Sequence, residues 1–87
     1  MEILTAVPSD IPELCRLLDT LFSQETEFKP DAEMQALGLG AIIEGDGIGD
    51  ILVAKDAGQI VGMVNLLYTI STALGSRVAI LEDMVVA

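Results

Sequence analysis

Residues 59–70, QIVGMVNLLYTI, constrain the fold of this chain most strongly, because a strand built from them is apolar on both of its faces. Side chains alternate between the two faces of a strand. The apolar residues of the first predicted face are Ile60, Val64, Leu66 and Ile70, and those of the second are Val61, Met63 and Leu67. Such a strand needs cover on both sides. Two helices can cover one side of a small sheet, so the sequence predicts half of a larger structure.

The N-terminal half carries a short strand and a first helix. Residues 3–7 are β-prone, Pro8 ends them, and Ser9 is predicted to cap the helix that follows. Apolar residues then recur at helical spacing, which indicates an amphipathic helix. Its apolar stripe consists of Ile11, Leu14, Cys15, Leu18, Leu21 and Phe22.

A second helix is predicted after EFKPD, residues 27–31. Lys29 is disfavoured in a helix because it precedes proline, and Asp31 can cap the new helix. The predicted apolar side of this helix consists of Met34, Leu37, Ala41 and Ile42.

Three strands complete the chain. Residues 50–55 and 59–70 are joined by the tight-turn sequence Asp-Ala-Gly, so they are predicted to form an antiparallel hairpin. STALGS, residues 71–76, turns the chain again before a last strand at 77–86, which should lie at a sheet edge. The predicted order is β-α-α-β-β-β. This is an α/β (α+β) fold with two helices and a mostly antiparallel sheet, in one domain over 1–87.

The charge balance limits the partners that the chain can have. Fourteen carboxylates face only four cationic side chains, and the formal net charge is −10. Binding phosphates requires a cluster of Lys and Arg, so nucleic acid is disfavoured as a partner. An acidic surface favours cationic or amine-bearing partners, although solubility explains it equally well.

The inventory of reactive side chains excludes several kinds of site. Cys15 is the single cysteine and histidine is absent, so no internal disulfide, cysteine-based zinc site or histidine base is expected. No metal site is predicted. The longest apolar run, residues 60–70, is well short of the ~20 residues that span a bilayer. The sequence therefore predicts no membrane span and a cytoplasmic location.

The closing strand and the order of elements resemble the N-terminal half of GNAT-fold N-acetyltransferases. ILEDMVV, residues 80–86, is similar to the fourth strand of glucosamine-6-phosphate N-acetyltransferases and of many bacterial amine acetyltransferases. GQIVGMVNLL, residues 58–67, is similar to the third strand of that family. The resemblance covers the whole chain but about half of the family's fold.

The resemblance implies acetyl transfer from acetyl-CoA to a primary amine of a small molecule or peptide. In the family an Arg/Gln-x-x-Gly-x-Gly/Ala loop follows this strand, and its amides hold the cofactor pyrophosphate at a helix N-terminus. That loop does not follow in these 87 residues. The expectation is therefore a partial domain, truncated before the pyrophosphate loop and inactive alone.

The resemblance also assigns roles within the last strand. The backbone of Met84, Val85 and Val86 is expected to pair with the pantetheine arm and polarise the thioester carbonyl, although an ordinary core strand explains these residues as well. Glu82 and Asp83 are the candidate catalytic carboxylates, predicted to point to opposite faces. Asp83 is preferred because the family's Asp tends to face the acceptor. A salt bridge to Arg77 or a solvated strand end is the alternative.

Two further residues are candidates for substrate binding. Phe28 lies in the break between the helices, where the family lines its acceptor pocket, and core packing is equally compatible. Tyr68 could supply a pocket hydroxyl, although packing with a satisfied hydroxyl is favoured. Cys15, on its helical stripe, is predicted to be a core residue.

Partners follow from the surplus of apolar residues, which make up 52% of the chain. Either nearly all of them are inside or another molecule covers some of them. We expect a homodimer or a complex with the missing C-terminal half. A non-catalytic α/β module that binds or dimerises through its sheet edge is the alternative function.

Overall fold

The alternation of helical and strand periodicities builds two helices and four strands. The computed structural model describes residues 1–23 and 31–87. Its strands are β1 (Glu2–Thr5), β2 (Gly49–Asp56), β3 (Gln59–Ser71) and β4 (Ser76–Val86), and its helices are α1 (Ile11–Phe22) and α2 (Ala32–Glu44). A short 3-10 turn, Pro8–Asp10, precedes α1. The order β-α-α-β-β-β and the α+β class are confirmed.

The four strands form one antiparallel sheet in the order β1-β2-β3-β4. The strand β4 lies at an edge of this sheet, as predicted. A two-residue turn joins β2 to β3, and both of its residues, Ala57 (φ 52°) and Gly58 (φ 79°), have a left-handed backbone. Paired positive φ values are typical of the type I′ turn, whose twist matches that of a hairpin.

The helix starts agree with the sequence only in part. Asp31 caps α2, because its Oδ1 accepts hydrogen bonds from the backbone N–H groups of Glu33 (3.1 Å) and Met34 (3.2 Å). The prediction of a Ser9 cap on α1 is wrong. The carboxylate of Asp10 stabilises this corner instead, accepting from Val7 N at 3.0 Å and lying 3.4 Å from the Lys55 ammonium.

Both helices pack on one side of the sheet, which we call the covered face. Val53, Met63 and Val85 meet there in register and are buried with the apolar stripe of α1. The other side, which we call the open face, carries Ile3, Leu52, Val64, Met84 and Val86 around a shallow depression of about 200 Å³. In residues 1–23 and 31–87, no helix is long and apolar enough to cross a membrane.

The predicted apolar side of α2 is partly wrong. Met34 and Leu37 are 67% and 65% exposed, whereas Gln35 and Leu39 are buried and Ile42 packs against the core. Two stripes of α2 are rich in apolar residues, and the polar Gln35 lies on the one that packs inward. Periodicity alone could not choose between them.

The face assignment of Ile60 is also wrong. The β2–β3 register shifts between Ala54 and Lys55, so that Ala54 pairs with Gly62 and Lys55 with Ile60. This bulge leaves Val61 as an extra residue and brings Ile60 against the core on the covered face.

Candidate functional site

A bulge in β4 shapes the candidate site. Glu82 pairs with Asn65 and Val85 pairs with Met63, so Asp83 and Met84 both lie opposite Val64. Asp83 has a left-handed backbone with φ 52°, a conformation that Asp adopts more readily than most residues. The strict alternation that predicted opposite faces for Glu82 and Asp83 does not hold across the bulge.

The side chain of Asp83 is held on the covered face. Its Oδ2 accepts a hydrogen bond of 2.8 Å from Nδ2 of Asn65. Asn65 is 3% exposed, and its Oδ1 has no hydrogen-bond partner among the described residues. A buried amide therefore positions the carboxylate and retains an unused acceptor of its own.

A cavity of about 140 Å³ lies between this carboxylate and the two helices. Eight residues line it, namely Leu18, Phe22, Gln35, Gly38, Leu39, Ile42, Asn65 and Asp83. Gln35 is 8% exposed, and neither its Oε1 nor its Nε2 has a hydrogen-bond partner in the part of the chain that is described. Each buried polar group that is left unpaired costs about 1–3 kcal/mol. These atoms therefore destabilise the fold unless a further group pairs with them.

The structure separates the two candidate carboxylates. Asp83 lines the cavity and is half-buried, whereas Glu82 is exposed and is not among the residues that line it. Phe28 lies outside the described residues. The salt bridge from Arg77 to this pair, one of the alternatives to a functional role, is not formed, because Nη2 of Arg77 donates to Gly47 O at 2.7 Å and its guanidinium stacks on Tyr68.

Tyr68 lies on the open face and is not brought together with Asp83. Its hydroxyl donates to Oδ2 of Asp50, and the Arg77 guanidinium lies 4.7 Å from its ring centroid. The hydrogen bond to Asp50 is the main reason that the pKa of Tyr68 is raised, and desolvation adds to it. The hydroxyl is therefore satisfied by Asp50.

The three residues assigned to the cofactor lie on two faces. Val85 is buried in the core, and Met84 and Val86 are exposed on the open face. Their backbone follows the edge of the sheet, where β4 pairs with β3 on one side and with no other strand of the described ranges. Backbone groups on this edge can pair with an extended ligand whatever the side chains do.

Cys15 is a core residue, as predicted. Burial raises the pKa of its thiol, and the nearby Asp19 carboxylate raises it further. A thiol held in its neutral form is a poor nucleophile. Within residues 1–23 and 31–87, no three Cys, Asp or Glu side chains are grouped in a way that could hold a metal ion.

Sequence reasoning missed Gln35 and Asn65. Asn65 carried a signal, because it interrupts an otherwise apolar strand. Gln35 carried a weaker signal, because it lies four residues before Leu39 and therefore on the same side of the helix. Hydropathy assigns both to the surface, whereas the structure buries both.

Comparison with known proteins identifies the fold. Neither protein-family models nor curated proteins give a match. An integron cassette protein from the mobile metagenome of Cole Harbour Salt Marsh is similar with a TM-score of 0.86 and 24% identity, over 97% of this chain and 55% of its own. A possible acetyltransferase from Clostridium difficile 630 has a TM-score of 0.82 and 21% identity, over 98% and 56%.

A third similar structure is a predicted acetyltransferase from Clostridium acetobutylicum, solved with acetyl-CoA. Its TM-score is 0.78 at 12% identity, over 99% of this chain and 59% of its own. The chain therefore has the fold of the N-terminal half of the GNAT acetyltransferases. It spans somewhat more than half the length of the structures it matches.

Proposed function

We propose that this chain is the N-terminal half of a GNAT-type N-acetyltransferase, which transfers an acetyl group from acetyl-CoA to a primary amine. The observation that carries the proposal is the bulged edge strand β4. It directs the Asp83 carboxylate into the cavity and leaves a backbone edge beside it. The likeness in fold to acetyltransferases, one of them solved with acetyl-CoA, supports the same reaction class.

In this proposal different residues of the chain take different roles in the attack of an amine on a thioester. The reaction needs a positioned amine, a proton acceptor and a donor for the developing oxyanion. Asp83 attracts the amine and accepts its proton, and the exposed Glu82 is the second candidate for relaying that proton. The backbone of Met84, Val85 and Val86 holds the pantetheine arm, and its N–H groups polarise the thioester carbonyl.

The pyrophosphate of acetyl-CoA would be held outside these residues. We place its glycine-rich loop after Ala87 in the complete protein, at the N-terminus of a further helix. The coding sequence beyond Ala87 tests this directly. An in-frame run similar to Arg-Gly-x-Gly-x-Gly is expected there, and its absence would contradict the half-domain proposal.

Activity provides the biochemical test. Release of free CoA thiol should stay at background for the 87-residue chain with a broad panel of amines. It should become saturable when the C-terminal half is supplied, in the same chain or as a second polypeptide. Saturable turnover by the 87-residue chain alone would contradict the division into halves. Failure of the complete protein to bind acetyl-CoA would contradict acetyl transfer itself.

One observation favours a second function, a non-catalytic module that binds a partner through its sheet. The open face exposes Leu81, Met84 and Val86, which is a large apolar area for a monomer. A thermal shift separates the two functions. A ligand stabilises only a state that binds it, so acetyl-CoA should raise the Tm of the complete acetyltransferase and leave that of a simple binding module unchanged.

A further inference from the structure

The least explained part of the molecule is the set of buried polar atoms around the cavity. Gln35 and Asn65 are both more than nine-tenths buried, and both line it beside Asp83. Three of their side-chain atoms, Gln35 Oε1, Gln35 Nε2 and Asn65 Oδ1, have no hydrogen-bond partner in residues 1–23 and 31–87. Native proteins rarely leave such atoms unpaired, so a bound group is expected to pair with them.

The chemistry of these atoms defines the group. Asn65 Oδ1, Gln35 Oε1 and the Asp83 carboxylate are three acceptors, and a primary ammonium has three N–H donors and no acceptor. Asp83 is the one charged residue among those that line the cavity, so the local charge is negative. A cation with three donors satisfies both the hydrogen bonding and the charge.

The Nε2 donor of Gln35 further restricts the class of ligand. Gln35 Nε2 offers N–H groups, which require an oxygen on the ligand. A carboxylate there would be repelled by Asp83, so a neutral hydroxyl or amide carbonyl fits better. The rest of the lining is apolar, including Leu18, Leu39 and Ile42, and suits a short aliphatic link. About 140 Å³ is several times the ~30 Å³ that a water occupies, enough for a compact head group.

We propose that this cavity binds a protonated aliphatic primary amine that carries a neutral oxygen a few bonds away, either a small amino alcohol or the N-terminus of a peptide. Gln35 and Asn65 are its specificity-determining residues, and Asp83 supplies the countercharge. The inference rests on the proposed acetyltransferase function in treating this amine as the acetyl acceptor. Binding of the amine itself does not require acetyl-CoA.

The test is an NMR titration of the 87-residue chain without acetyl-CoA, following the side-chain amide signals of Gln35 and Asn65. Ethanolamine represents the amino alcohols, and glycinamide represents a peptide N-terminus. Propylamine lacks the oxygen, and 1-propanol lacks the ammonium. We expect saturable shifts with ethanolamine or glycinamide, weaker binding of propylamine and no saturation with 1-propanol. The tighter of the first two identifies the source of the amine.

Variants assign the effect to the cavity. Asp83→Asn should weaken binding of the preferred amine by about tenfold or more, since it removes a charge-assisted hydrogen bond. Asp56→Asn, at the exposed β2–β3 turn, makes the same charge change and should leave binding unaltered. Gln35→Leu should abolish the preference for ethanolamine over propylamine, whereas Gln59→Leu at the same turn should keep it. If Asp83→Asn does not fold, Gln35→Leu alone decides.

Three outcomes would overturn the proposal. They are no saturable shift with either oxygen-bearing amine, which indicates a cavity that holds water only, equal binding of 1-propanol, which indicates that the ammonium is not recognised, and an unchanged preference in Gln35→Leu. The proposed function fails separately. If the complete protein binds ethanolamine but not acetyl-CoA, acetyl transfer is wrong and the amine site stands. If it binds acetyl-CoA but no amine at this cavity, the reverse holds.

Discussion

The two faces of the sheet have opposite relations between polarity and burial. The covered face buries Asn65, and the helix packed on it buries Gln35, although both are polar and incompletely paired. The open face exposes Ile3, Leu81 and Val86, although all three are apolar. Burial of apolar surface stabilises a fold by about 25 cal/mol per Å², so the open face forgoes stabilisation by leaving apolar side chains exposed. The covered face loses stability in another way, because it buries polar groups that are not fully hydrogen-bonded.

The difference shows where folding and function compete. On the covered face Gln35, Asn65 and Asp83 line one cavity, and buried polar atoms of the first two lack hydrogen-bond partners within the described residues, which is the expected arrangement where a ligand completes the hydrogen bonding. On the open face the apolar residues surround a shallow depression without a charged residue, which is the expected arrangement where a macromolecule provides the cover. The covered face is therefore suited to a small ligand and the open face to a large one.

The largest expected effect compares the same substitution on the two faces. Ile51→Ala, at a residue 1% exposed on the covered face, should lower the free energy of unfolding by about 2–5 kcal/mol. Ile3→Ala, on the neighbouring strand but 64% exposed on the open face, should change it by about 0.5 kcal/mol or less. Urea denaturation at low salt and at a concentration below that of dimer formation measures both in the monomer. Similar losses for the two variants there would contradict the distinction between the covered and the open face.

Self-association through the open face and the β4 edge is the next effect. We expect the folded chain to form a two-fold dimer, because an isologous contact closes and does not propagate. The net charge of −10 opposes association, so added salt should tighten the dimer as repulsion is screened. Sedimentation at micromolar concentration and two salt levels measures this.

The chain offers a matched pair of methionines for that experiment. Met84 lies on the open face and Met34 on the outer side of α2, and both are exposed. Met84→Gln should weaken the dimer on the order of tenfold, because it places a polar amide in an apolar interface, and Met34→Gln should not. A compact monomer at both salt levels would show that the open face needs no partner copy.

The comparison also shows what the sequence can predict. The order of elements, the edge position of β4, the α1 stripe and the Asp31 cap follow from local periodicity and local hydrogen bonding, and all are confirmed. The excess of apolar surface was equally visible, because both faces of β3 are apolar in the sequence. These features depend on residues that are near one another along the chain.

The cavity could not be predicted because it depends on contacts between distant residues. The bulges at Val61 and at Asp83 arise from how two strands pair, and each changes which face a side chain occupies. The orientation of α2 buries Gln35 in place of Met34, a choice that hydropathy reverses. The role expected for Asp83 rests on resemblance, whereas its hydrogen bond from Asn65 is evident only in the folded arrangement.

A smaller effect is expected from Cys15, which lies under the covered face. Its pKa is raised above the ordinary value of 9.0, mainly by burial, so the folded chain keeps the thiol proton at a pH where the unfolded chain releases it. The contribution of this titration to the free energy of unfolding is fully present below about pH 9. It is lost as the pH rises through the raised pKa, by at most about 1.4 kcal/mol per pH unit. The free energy of unfolding of Cys15→Ala, measured by urea denaturation, should therefore fall less steeply with pH above about pH 9. An equally steep fall would show that another group causes the alkaline loss of stability.

The smallest expected effect concerns Tyr68, the corresponding titratable group on the open face. Its hydroxyl donates a hydrogen bond to Asp50, and ionisation would break that bond and set two anions side by side, so its pKa is raised above the ordinary value of 10.0. Tyr68 is the single tyrosine and tryptophan is absent, so tyrosinate absorbance reports on this residue alone. Asp50→Asn should lower the midpoint of the titration towards 10.0, since the amide carries no charge.

Asp46→Asn, in the exposed loop before β2, makes the same change in charge and serves as the control. A midpoint that does not move in Asp50→Asn would show that the hydrogen bond is lost to solvent. The open face would then hold its polar corner less firmly than the covered face holds Asp83 through Asn65.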